Sequence, residues 1–96
     1  MNARDTEAAL LARCVVVARA GAPLAQDPRE ANVFRLAAMV VRSRFPNESI
    51  CLMQASDQYF AEHPAERLPA VEVVRNGWVV NLPRLRDRLS HHLGRP

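Results

Sequence analysis

Lysine is absent from this chain of 96 residues, and all thirteen basic residues are arginines. Codon usage in a GC-rich genome accounts for most of that bias, although arginine also favours bidentate contacts with carboxylate and phosphate. Cysteine is nearly absent: Cys14 and Cys51 stand at no metal-ligand or redox-motif spacing, which leaves two buried thiols in a reduced compartment as the plain reading. Long apolar runs are missing too, for nothing approaches the ~18 residues of a membrane span. Met1 to Gly21 carries Asp5, Glu7, Arg13 and Arg19 among short apolar pieces, without the charged-then-apolar order of a signal peptide, so a cytoplasmic location is expected. No repeat or linker divides the chain, which reads as a single domain over 1–96.

What is present is 49% apolar content and a net charge of +3, which permits an acidic partner without demanding one. The stretch from Leu68 to Val80 is the most structured in appearance: Pro69 heads an apolar run, Asn76-Gly77 forms a two-residue turn, and Trp78-Val79-Val80 follows. Asn-Gly tolerates positive φ at both central positions, as a type I′ turn requires, so a β-hairpin is predicted here.

Two further strands are predicted from continuous apolar, β-branched runs, Cys14 to Ala18 and Ser49 to Ala55. Helices are expected at Asp5 to Arg13, with Asp5 or Thr6 as N-cap, and from Asp27-Pro28-Arg29-Glu30 to about Arg44. The second of these has Val33, Phe34, Ala37, Ala38, Val40 and Val41 as its apolar stripe and Arg29, Arg35, Arg42 and Arg44 toward solvent. Phe45-Pro46-Asn47 stops it. Ser56 or Asp57 caps a short helix Gln58 to His63, and Asn81 caps a terminal helix Leu82 to Leu93. The order α-β-α-β-α-β-β-α predicts an α/β protein, a three-layer α/β/α sandwich around a mixed sheet.

That order, with the Pro69-to-Gly77 spacing, resembles the thioredoxin-like superfamily. The loop that carries Cys-x-x-Cys in that family corresponds to Arg19-Ala20-Gly21-Ala22-Pro23-Leu24-Ala25, where alanines stand at the cysteine spacing. Gly21-Ala22-Pro23-Leu24, Arg44-Phe45-Pro46 and Pro64-Ala65-Glu66-Arg67-Leu68-Pro69 are similar to three motifs of the thioredoxin-like domain of phosducin-like proteins. Residues Gln26 to Asn32 are extra, and the long N-terminal region that holds G-protein βγ subunits in phosducins has no counterpart. Hydrogenase-maturation chaperones offer a second likeness. The resemblance implies a non-redox thioredoxin-like fold without catalytic residues, cofactor or metal, acting as an adaptor or assembly chaperone. It also implies a protein-binding groove built from Gly21, Ala22, Pro23, Leu24, Leu68 and Pro69.

Trp78 joins that protein-binding set as an interface anchor, and the strand from Trp78 to Asn81 would be an open sheet edge able to pair with a second copy in a homodimer. A thiol redox function through Cys14 or Cys51 is the first alternative. Binding of nucleic acid by Arg84, Arg86, Arg88, His91, His92 and Arg95 is the second. Cations late in a helix complement its dipole in any case, and only Trp78 could supply stacking, which argues against nucleic acid. Adjacent His91 and His92 point about 100° apart and make a poor metal pair. His63 has no acid or nucleophile at a useful spacing.

Overall fold

The structure, a computed structural model, describes residues 3–21 and 24–94. They form five helices: α1 Ala3–Ala20, α2 Pro28–Val41, α3 Pro46–Glu62, α4 Ala70–Arg75 and α5 Leu82–Leu93, with a 3-10 turn Pro64–Glu66 between α3 and α4. No strand occurs among the described residues. The expected α/β thioredoxin-like sandwich is therefore corrected to a helical bundle, and each of the predicted strands has become helix or irregular chain.

The first predicted strand lies inside α1. Its buried residues are Glu7, Leu10, Leu11, Cys14, Val17 and Ala18, a spacing of three and four that only a helix brings to one face. Three consecutive valines cost a helix well under ~1 kcal/mol each, whereas burying one aliphatic side chain returns about 1.5–3 kcal/mol, so packing wins over local preference. The helix starts at Ala3, so Asp5 and Thr6 lie within its first turns rather than ahead of them. Gly21 ends it at φ 70°, its N–H donating to Val17 O at 3.0 Å.

The second predicted strand lies inside α3 for the same reason: Ser49, Leu52, Ala55, Ser56 and Phe60 share the buried face. Helix α2 ends at Val41, short of the expected Arg44, and Pro46 opens α3 as its first residue, where a missing N–H costs nothing. Ser56 and Asp57 consequently sit in mid-helix and cap nothing, and Ser49 Oγ donates to Ala38 O at 2.7 Å, tying α3 to α2.

The predicted hairpin is α4 and its exit. Asn76 has φ −74° and ψ −2°, right-handed, and only Gly77 is positive at 78°. The N–H of Gly77 donates to Val74 O at 3.0 Å and that of Asn76 to Glu72 O at 2.9 Å, so Asn-Gly closes a helix C-terminus instead of joining strands. Trp78 to Asn81 is irregular, so there is no sheet edge there for a homodimer to use.

Two expected caps are present. Asp27 Oδ1 accepts Glu30 N–H at 2.8 Å ahead of Pro28, and Asn81 Oδ1 accepts Arg84 N–H at 2.6 Å. The first of these starts the central element. Helix α2 touches every other helix, and Glu30 to Ala38 are buried without interruption. Phe34, Leu36, Leu52, Val73, Val79 and Leu89 fill the interior around it. Arg35, expected at the surface, is only 7% exposed.

Candidate functional site

The residues expected to form one groove are dispersed. Gly21 follows α1, and a Cβ there would meet Cys51 Sγ at 3.8 Å. Leu24 is 55% exposed and borders a hollow with Gln58, Tyr59 and Ala61 of α3. Ala22 and Pro23 lie outside the described residues. Leu68 packs half-buried against the core, Pro69 is the exposed N-cap of α4, and Trp78 is half-buried against the core. The Leu68 backbone faces α2, whereas Leu24 stands beside α3.

A broad concavity lies elsewhere, between α1 and α5, with a volume of about 800 Å³. Its floor is Ala8, Leu11, Ala12 and Val15, which recur at helical spacing on the side of α1 next to α5. Its rim is Asp87, Arg88, His91 and His92 of α5. Below the rim, Glu7 of α1 is 4% exposed, and its Oε1 meets Arg84 Nε at 3.2 Å and Arg88 Nη1 at 3.5 Å. Arg86 pairs with Asp87 at 3.1 Å. Arg84, Arg86 and Arg88 of α5 thus meet two carboxylates, Glu7 and Asp87, an excess of positive charge. Arg19 Nη2 donates to His92 O at 2.8 Å, fastening the C-terminal ends of α1 and α5 and satisfying a carbonyl in the last turn.

The thiols occupy contrasting places. Cys14 is fully buried, and loss of solvent, followed by the charge of Glu30, raises its pKa far above the ordinary thiol range. Cys51 is half-buried in a hollow with Phe45, Asn47 and Leu93, and neither cysteine is in a disulfide. Among the described residues no three of His, Cys, Asp and Glu converge as metal ligands, and no helix is long and apolar enough to cross a membrane.

Sequence reasoning missed the α1–α5 groove because its floor was divided between a helix and a strand. The signal was there in Ala8, Leu11, Ala12 and Val15, at spacings of three, one and three. No protein family, curated protein or solved structure matches this chain, so the expected likeness to phosducin-like proteins gains no support from those comparisons.

Proposed function

We propose that this protein is a non-enzymatic binding module that holds an acidic, amphipathic helical segment of another protein along the α1–α5 groove. One observation carries the reading: an apolar floor from one helix lies beside a helix whose Arg84, Arg86 and Arg88 outnumber their two carboxylate partners, Glu7 and Asp87. A helix that lays an apolar face on such a floor turns its flanking acids toward the rim, and the charges select orientation and partner. A cytoplasmic setting fits two free thiols. The thiol-redox reading has less support at Cys14, because a buried thiol held far from ionisation is a poor nucleophile, and Cys51 has no second thiol paired with it. The nucleic-acid reading has less support, because Trp78, the residue expected to supply stacking, packs half-buried against the core.

The test is titration with a labelled Glu/Leu amphipathic peptide of roughly 18 residues, against an isomer with the same composition in scrambled order. Ala12 is exposed in the floor, so Ala12→Asp leaves folding intact and should weaken binding of the ordered peptide by about tenfold or more. Equal binding of both peptides, or an Ala12→Asp variant that binds as before, would sink the proposal.

A further inference from the structure

Arg35 is a buried cation without a counter-ion among the described residues. It is 7% exposed, and it makes no ion pair with any described carboxylate. Its Nη2 donates to Leu68 O and, at 3.3 Å, to Asn32 Oδ1, while its buried Nε has no partner. Neutral acceptors solvate a guanidinium only in part, and desolvating one ordinarily calls for a carboxylate or another anion.

The backbone of a second cation, Arg67, runs beside it. Asn32 accepts Leu68 N–H at 2.8 Å and donates to Glu66 O at 3.0 Å, fixing the backbone on both sides of Arg67. Arg67 is exposed and makes no ion pair with any described residue, and its charge is felt at Arg35, where it acts with burial to lower the guanidinium pKa. The acids nearby in sequence are engaged elsewhere: Glu66 accepts from Tyr59 Oη at 2.6 Å and Glu72 pairs with Arg75 at 2.8 Å.

We infer that Arg35 and Arg67 form a binding site for a small tetrahedral oxyanion, inorganic phosphate or a phosphate monoester, at the junction of α2 with the α3–α4 linker. A dianion matches two cations, and its oxygens suit the planar donor set of guanidinium better than chloride does. Occupation joins the linker to the central helix, so binding stabilises the fold. The site is independent of the α1–α5 groove.

Thermal unfolding in sodium phosphate, glycerol phosphate and sodium chloride at matched ionic strength tests this. At ~10 times the dissociation constant, phosphate should raise the midpoint by about 7 °C over chloride. The Arg35 side-chain Nε–H resonance should move along the same titration. A shift with inorganic phosphate alone identifies the free ion as ligand, and a shift with both salts admits monoesters. Arg67→Gln, on an exposed side chain, should remove the phosphate-specific shift while leaving the midpoint in chloride nearly unchanged. Equal midpoints in all three salts, or a phosphate shift that survives Arg67→Gln, would overturn the inference.

Discussion

Asn32→Ala should be among the most damaging polar substitutions in this protein. The side chain is fully buried and makes four contacts: Nδ2 to Pro28 O at 2.8 Å and Glu66 O at 3.0 Å, and Oδ1 from Leu68 N–H at 2.8 Å and Arg35 Nη2 at 3.3 Å. The two carbonyls lose least, because the Pro28 carbonyl sits in the first turn of α2 and Glu66 is exposed and can rehydrate. Leu68 N–H is left without an acceptor in a dry site, at about 1–3 kcal/mol, and Arg35 Nη2 loses one of its two acceptors, a charge-assisted bond of about 1.5–3 kcal/mol. The total is about 3–4 kcal/mol, a large share of the 5–15 kcal/mol typical of a domain. Urea unfolding followed by far-UV circular dichroism, analysed with a shared m-value, measures it, and the thermal midpoint should fall by about 15–25 °C. A loss below about 1 kcal/mol would refute the reasoning, since the linker would then be held by something other than Asn32.

Asn76→Ala should change stability by less than about 0.5 kcal/mol, because Asn76 is right-handed, whereas Gly77→Ala should cost about 1 kcal/mol at φ 78°; comparable losses at both positions, read by urea unfolding, would restore the two-residue hairpin turn. A native-state thiol reagent should label Cys51 and spare Cys14, which becomes reactive only on unfolding, as mass spectrometry of the labelled peptides will show. The hydrogen bond to Glu66, ahead of burial and the charges of Glu66 and Asp27, pushes the Tyr59 hydroxyl up to about 12. Ultraviolet titration should therefore find it protonated through pH ~10, with Glu66→Gln bringing it back toward the ordinary value. Because the folded value is raised, whatever the contact adds to stability is complete below pH ~10 and disappears as pH climbs through 12.

Two of the four expected caps were legible, while Asp5 or Thr6 and Ser56 or Asp57 lie inside helices. Asp27-Pro28 and Asn81 each announce a helix start through groups that act within four residues, and both caps are present. Helix against strand was not legible where the apolar run was short and branched. Cys14 to Ala18 satisfies a buried-strand pattern and also continues the stripe begun by Glu7, Leu10 and Leu11; a window starting before Cys14 would have favoured the helix. Asn76-Gly77 was ambiguous in the same way, since a hairpin turn and a helix C-terminus both call for a residue of positive φ. The docking groove could not be read without α1 as one continuous helix. Arg35 gave no local sign of burial, because its hydrogen-bond partner Leu68 O lies 33 residues further along the chain.

The helical bundle underlies both binding readings, and backbone Cα secondary chemical shifts test it residue by residue. Cys14 to Ala18, Ser49 to Ala55 and Ala70 to Arg75 should all show the downfield displacement of helix, with a break at Gly77. An upfield, strand-like run across any of these segments would contradict the account and take the α1–α5 groove or the Arg35 site with it.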